Sequence, residues 1–252
     1  MNRNIKADPW YNIFGGKYTG EEPNFYSTQQ FPWVKILEDN WEIIRDELTT
    51  LVAEKPQRLQ PYYINKSMSF PPNHWKTMGL YFWRFTLHKN CRRCPKTIEI
   101  LKKIPNLTAA SLSILEPNAN INPHQGDTDA VIRGHLGLSI PAKIPDAGFQ
   151  VGQDIKSWEN GKVLLFCDAH AHTAWNNTNQ RRLVMIFDVM REPYAQTKDT
   201  VCAKVLADAV LQMLYQSVPL LNKLSGRFKH LIYTLLAYSI RVILPIQRSI
   251  GF

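Results

Sequence analysis

Apolar residues change their period several times along this chain, and the changes divide it. From Pro32 onward Trp33, Ile36, Leu37, Trp41, Ile44, Leu48 and Leu51 recur at threes and fours, which predicts one amphipathic helix ending before Lys55-Pro56. Residues 81–87 are aromatic and strand-like, while 95–101 place a proline in a first turn and then follow helical spacing. Beyond Pro105 come short β runs at 109–115, 130–140, 149–151, 162–166 and 181–189, separated by clusters of Pro, Asn, Asp and Gly. Many short strands of this kind predict an antiparallel sandwich or jelly roll. The helical period then returns through Val205, Ala209, Leu211, Met213 and Leu214 and again over 231–244, with breaks at Pro219, Gly226 and Pro245. Three parts are expected: an irregular arm over 1–30, a mainly β domain with N-terminal helices over 31–198, and a helical extension over 199–252.

Strand residues alternate faces, so only every second one reaches a common site. Over 131–140 Arg133, His135, Gly137 and Ser139 share a face, opposite Ile132, Leu136, Leu138 and Ile140. Over 181–189 Arg182, Val184, Ile186 and Asp188 go together, and over 111–115 so do Ser111, Ser113 and Leu115. Ser113, Arg133, His135 and Arg182 interrupt apolar strands and are costly inside unless paired; a dicarboxylate ligand satisfies them. His124 and His172 stand at strand ends 48 residues apart, each followed nine or ten residues later by one of these arginines. That spacing suggests a metal site with an anion-binding floor, and neutral imidazole suits iron, zinc, copper or nickel. His170 competes with His172 for the ligand position. Asp127 and Asp129 read as loop caps, and Trp158 and Trp175 as packing or a pocket wall. His74 and His88 have no partner pattern.

The same stretch resembles the aspartyl/asparaginyl β-hydroxylase family over about 31–193. The likeness is carried by Phe31-Pro32-Trp33 and the following helix, Asn90-Cys91-Arg92-Arg93-Cys94-Pro95-Lys96-Thr97, residues 113–126, Arg133-Gly134-His135-Leu136-Gly137-Leu138, Trp158-Glu159-Asn160-Gly161-Lys162, and His172 through Arg182 to Asp188-Val189. It implies a double-stranded β-helix, cupin-like, that uses Fe(II), 2-oxoglutarate and O2 to hydroxylate an unactivated C–H bond. By that resemblance His124 and His172 match the iron histidines. Arg182 matches the arginine that grips the distal carboxylate of 2-oxoglutarate, with Ser113 as its hydroxyl partner, and Arg133 and His135 match the pair near the metal-bound end. Many related oxygenases carry Asp or Glu two residues after the first histidine, where this chain has Gly126; the aspartyl/asparaginyl branch is similar in this and uses water instead. Asp127 is one place out of register for that role.

The resemblance implies first an aspartyl/asparaginyl-type or other amino-acid or peptide substrate. A lipid acyl chain is the alternative, because the family includes bacterial lipid hydroxylases. A rival from another class is a non-catalytic jelly-roll binding protein, favoured by the missing carboxylate and disfavoured by retention of the whole histidine, arginine and serine set.

Composition changes this picture at one place. Of 252 residues 44% are hydrophobic and 20% charged, ordinary for a folded globular protein. The net charge of +9 points to an anionic partner, and more than half of it comes from Lys204, Lys223, Arg227, Lys229, Arg241 and Arg248 against the single acid Asp208 after residue 200. Lys229 and Arg241 bound the longest apolar run there, so no membrane-spanning stretch is expected, and the extension reads either as a peripheral membrane contact or as a helical pair covering the barrel. Nucleic acid is not expected, because the cations lie in an apolar helical tail and not on an aromatic-studded sheet. Four cysteines are too few for a disulfide scaffold and Met1 to Lys6 holds no apolar run, so a reducing cytoplasm, with the membrane surface as its edge, is the expected location. The lone Cys91-Arg92-Arg93-Cys94 reads as reduced thiols near a helix start.

Overall fold

Alternating strands need two covered faces, and the chain supplies one cover from helices and the other from a second sheet. A computed structural model of the protein describes residues 8–13, 16–61 and 68–249. Edge strand β1 (Phe25–Tyr26) precedes α1 (Val34–Asp39) and α2 (Trp41–Glu54). Next come β2 (Gln60–Pro61), β3 (Ser69–Phe70), β4 (Trp75–Phe82), β5 (Phe85–Thr86), α3 (His88–Cys91) and α4 (Pro95–Leu101). The central strands are β6 (Leu107–Leu115), β7 (Ala119–His124), β8 (Val131–Ser139), β9 (Ala147–Val151), β10 (Asp154–Lys156), β11 (Val163–Phe166), β12 (His172–Asn176) and β13 (Arg182–Met190). Helices α5 (Lys198–Ser217) and α6 (Gly226–Ser249) follow.

Among the described residues the larger sheet runs β1-β11-β8-β13-β6-β4-β2, with β5 on β4, and the smaller runs β10-β9-β12-β7-β3. The central pairs are antiparallel. This is the jelly-roll, double-stranded β-helix architecture with flanking helices. On the outer face of the larger sheet Leu112, Ile114, Leu136, Leu138, Met185 and Phe187 pack under Leu37, Ile44, Leu48, Ile98 and Leu101 of the helices. Each such side chain stabilises the fold by about 1.5–3 kcal/mol. Between the sheets Leu115, Phe149, Phe166, Ala174 and Val184 form a second core, and its remaining inner positions are left for polar groups.

Several elements differ from expectation, each for a local reason. The helix expected over 33–51 breaks at Asn40 (φ −118°, ψ 14°), whose Nδ2 donates to the Ile36 carbonyl and ends α1. The strand expected over 81–87 is a hairpin: Trp83 and Arg84 both take positive φ (47° and 67°), the twist a tight β turn requires, although neither is a turn-forming type. Trp83 is buried with Val201, Cys202 and Leu244, and this packing holds the turn. Pro245 does not break the last helix, since α6 runs through it. Its end is anchored by Gln247, which exchanges hydrogen bonds with the Thr86 backbone, and by Arg248, paired with Asp199.

The N-terminal arm contributes β1, which pairs with β11, and a bridge from Tyr11 to Thr128. Its residues 1–7 and 14–15, and residues 250–252 of the extension, lie outside the described residues. All four cysteines are free and buried. Cys91 and Cys94 donate to the carbonyls of Leu80 and Asn90, and burial pushes their thiols up to about 11 and 12, so this pair packs the core. By length and composition α6, at a mean hydropathy of 1.2, is the one helix among the described residues apolar enough to cross a membrane; Lys229 and Arg241 do not interrupt it enough to exclude that.

Candidate active site

Strand register orders the polar groups along the inner face. β13 lies between β6 and β8 so that Asp188 faces Arg133, Ile186 faces His135, Val184 faces Ser113, and Arg182 faces Leu115. The sequence from one end of the cavity to the other is therefore Arg182, then Ser113 and His135, then Arg133 and Asp188. Across the gap the last residue of β7, His124, pairs with the first of β12, His172, and their ring centroids are 4.2 Å apart. One cavity between the sheets is lined by all six of the residues singled out from the sequence, His124, His172, Ser113, Arg133, His135 and Arg182.

Hydrogen bonds define the histidine tautomers. Nδ1 of His124 lies 2.8 Å from the Asn122 carbonyl and Nδ1 of His172 lies 2.9 Å from the His170 carbonyl, so in each ring Nδ1 carries the proton and Nε2 keeps a lone pair. Burial, then the neighbouring His172, lowers His124 to about 3, and burial lowers His172 to about 4. Both are neutral at physiological pH, the state a metal requires. His135 is the converse: Trp158 Nε1 donates to its Nδ1 at 3.2 Å, leaving Nε2–H as a donor, and burial holds it well below the usual histidine range.

The two ends of the cavity treat their arginines differently. At the histidine end Arg133 binds Asp188 through Nε and Nη2 (2.7 and 2.8 Å) and Asp168 through Nη1 (2.6 Å). Burial opposes the Arg133 charge, but the two carboxylates outweigh it and hold the guanidinium well above its ordinary value. Burial pushes the carboxyls of Asp168 and Asp188 up while Arg133 pulls them down, and Asp168 Oδ1 is 3.6 Å from the His172 Nε2 lone pair. Asp168 Oδ2 is buried and has no hydrogen-bond partner among the described residues.

At the other end Arg182 is 1% exposed, and its Nε and Nη1 find no hydrogen-bond partner among the described residues. Trp158 stacks under it, 4.6 Å from guanidinium carbon to ring centroid. Burial without a counterion pulls Arg182 down to about 9, still charged at neutral pH. Trp75 Nε1 donates to Ser113 Oγ at 2.9 Å, which turns the hydroxyl into the same space.

Three placements refine the sequence reading. Arg133 lines the cavity, but its guanidinium is fully engaged by the two aspartates. His170 is turned to the Glu22 carbonyl at 2.6 Å and packs on Tyr18, so it anchors the arm and does not compete with His172. Gly126 sits against Asp168: a Cβ at 126 would collide with its carboxylate. Sequence reasoning missed Asp168 as a site residue; its one signal was an acid four residues before His172, indistinguishable from a loop cap. Trp75 was missed too, lying in a Pro-rich stretch without period. Asp127 stands beside this cluster, and burial, then Asp168, pushes its carboxyl up to about 7. A larger cavity, about 220 Å³, opens between α4, β5 and the end of α6, but no histidine, cysteine or acid lines it.

The model of the family described as aspartyl/asparaginyl beta-hydroxylase matches residues 38–192, more than half of the chain. The protein belongs to that family. It is 32% identical over 171 residues to an ornithine lipid ester-linked acyl 2-hydroxylase of Rhizobium tropici, covering 67% of this chain and 61% of that protein. It is 30% identical over 190 residues to the human aspartyl/asparaginyl beta-hydroxylase, covering 73% of this chain and 23% of that one. The chain thus spans less than two thirds of either relative. A Pseudomonas putida prolyl-4-hydroxylase of known structure matches at 13% identity and a TM-score of 0.43, covering 61% of this chain and 87% of that one.

The residues of this family member fit the metal and cosubstrate that the family resemblance implies. Two neutral imidazoles with free Nε2 atoms beside Asp168 suit a divalent cation, although no group of three or more His, Cys, Asp or Glu side chains is arranged around one among the described residues. The orphaned Arg182 at the far end suits a carboxylate.

Proposed function

We propose that this protein is an Fe(II)- and 2-oxoglutarate-dependent hydroxylase, with His124 and His172 holding the metal and Arg182, helped by Ser113, holding the distal carboxylate of the cosubstrate. The observation that carries this reading is the buried guanidinium of Arg182, its Nε and Nη1 without a hydrogen-bond partner among the described residues, in a cavity that also contains two neutral, lone-pair-bearing histidines. Bound Fe(II) and 2-oxoglutarate, with O2, supply oxidative decarboxylation and insertion of a hydroxyl into an unactivated C–H bond. The chain's own tasks are narrower. Arg182 orients the cosubstrate along the cavity, and its bidentate shape matches a carboxylate. His135 offers Nε2–H midway. Arg133 holds Asp168 beside His172, on the side where Gly126 offers no carboxylate. Phe149, Phe166 and Trp158 pack around His135 and His172 and exclude water from that wall.

For the substrate, the surroundings of the metal end favour the acyl chain of an amphipathic lipid. Helix α5 packs on Ala130, Val131 and Met190, at the strand ends beside Arg133 and Asp188, and α6 lies over it with a row of exposed apolar residues. The Rhizobium tropici relative supports the same reading. An aspartyl/asparaginyl-type substrate is the second reading, supported by the human relative.

Anaerobic addition of Fe(II) and 2-oxoglutarate is expected to produce the weak visible charge-transfer band of the chelate in the wild type and not in His172→Ala. No band from folded wild-type protein would leave a jelly-roll binding protein as the better account. Succinate release stimulated by a dispersed acyl aminolipid and not by an aspartyl peptide decides the substrate class; the reverse pattern selects the second reading.

A further inference from the structure

Helix α6 is apolar on two opposite faces. One face, Tyr233, Leu236, Ala237, Ile240 and Leu244, packs on α5 and the barrel end. The other carries Phe228, Leu231, Leu235, Tyr238, Val242 and Ile246, each between 52% and 69% exposed. Their spacings of three and four place all six within about 80° of arc along roughly 27 Å of helix. A row of this length on a protein surface calls for a partner. Leu220, 69% exposed, adds to the apolar surface of the turn before α6.

Charge says which partner. After Asp208 the sequence contains no Asp or Glu, but it contains Lys223, Arg227, Lys229, Arg241 and Arg248. A second copy seated on this face would bring two cationic helices together, whereas an anionic bilayer surface attracts both features at once. Spanning is a poor use of α6, because one face is already packed along its length and Gln247 and Arg248 tie its end to Thr86 and Asp199. The same helix pair covers the strand ends next to the histidine pole.

We propose that α6 lies in the plane of an anionic membrane surface, its Phe228-to-Ile246 row in the acyl boundary and Arg227 and Arg241 among the headgroups, bringing the histidine end of the barrel to lipid. This role rests on the lipid reading of the active site for its purpose and on the surface of α6 for its grounds.

Flotation of the purified full chain, without iron or 2-oxoglutarate, separates the two. With phosphatidylcholine–phosphatidylglycerol vesicles at ~2:1 the wild type is expected to float, and with phosphatidylcholine alone to float weakly. Leu231→Ser/Leu235→Ser/Tyr238→Ser and Arg227→Gln/Arg241→Gln should each lower partition on the order of tenfold, with circular dichroism unchanged. Elevated salt should release the wild type. Three results would overturn the proposal: no flotation with a dimer in sedimentation, which assigns the face to a second copy; binding that survives alkaline carbonate, which assigns a span; or equal binding by the apolar-row variant. Flotation without any lipid-stimulated succinate would leave the membrane role standing and remove the lipid substrate.

Discussion

The barrel interior and the surface of α6 break the same rule in opposite directions. Inside, Arg182, Arg133, Asp168, Asp188, His135 and His172 are buried polar or charged groups in one cavity region, most of them almost completely enclosed. Outside, Phe228, Leu235 and Tyr238 face solvent on a helix whose other face is already packed. Burying charge costs several kcal/mol unless it is paired, and leaving large apolar side chains in water forfeits about 1.5–3 kcal/mol each. A fold can carry both costs only if something outside the chain removes them. The interior has a geometry of discrete donors and acceptors, so its missing partner is small and specific; the surface has length, apolarity and one sign of charge, so its missing partner is extended and interchangeable.

The sharpest way to break the interior half of this contrast is to remove a histidine. His124→Ala or His172→Ala should abolish the Fe(II)–2-oxoglutarate band and turnover, because each Nε2 is one of the two imidazole donors proposed to hold the metal. Next in size is Arg182→Met. Loss of the buried cation should weaken 2-oxoglutarate binding on the order of a hundredfold, measured by calorimetry with Fe(II) present. Without cosubstrate the same variant should melt no lower than the wild type, since an unpaired buried charge has been replaced by an apolar side chain of similar length. A fall in the cosubstrate-free melting temperature together with unchanged affinity would mean that Arg182 is a structural cation and not an anion site.

That pair of outcomes also shows what was legible beforehand. Ser113, Arg133, His135 and Arg182 sit on strands, where alternation determines which side chains share a face, and the register of β13 with β6 and β8 sets them along one face. His124 and His172 were readable as strand ends, although the polar strands β7 and β12 that carry them were not, because Asn122, Pro123 and Thr173 hide any period. Asp168 was illegible for a different reason. It lies between strands, where no periodicity constrains direction, and only the absence of a side chain at Gly126, 42 residues earlier, gives its carboxylate room. The Trp83-Arg84 turn was hidden for a similar reason: tertiary packing under α5 and α6, and not local propensity, holds it. On the exterior the charge asymmetry was plain in the sequence, but a helical period cannot say which of two apolar faces is covered.

Gly126 offers a smaller test of the interior. Gly126→Ala should destabilise by about 1–3 kcal/mol in denaturant unfolding and weaken the metal band, because the new methyl displaces Asp168. In an Asp168→Gly background the same substitution should cost little stability, a coupling that appears only if the two side chains compete for one volume. Additive effects would separate them.

The exterior half predicts near-silence where the interior predicts loss. Leu231→Ser/Leu235→Ser/Tyr238→Ser alters residues that touch water, so unfolding free energy should move by about 0.5 kcal/mol or less per site, and the Fe(II)–2-oxoglutarate band should not change. A large fall in stability would mean that this face is covered within the protein.

Asp208, the last acid of the chain, tests the boundary between the two regions with the smallest expected effect. It is half-buried on α5, and burial pushes its carboxyl up to about 6, opposed by the hydrogen bond from Gln212. An unfolded aspartate titrates near ~3.9. Because the folded value is the higher one, the native state holds its proton more tightly, and stability is lost as pH rises from about 4 through 6. Asp208→Asn should therefore raise unfolding free energy at pH 7 by about 1 kcal/mol, allowing for solvent screening, and should change nothing near pH 4. If the gain persisted at pH 4, it would come from helix propensity and not from charge. If it appeared only at neutral pH, the extension would be shown to tolerate one buried acid at a cost, on the face of α5 turned toward the active-site end and away from the acid-free row of α6.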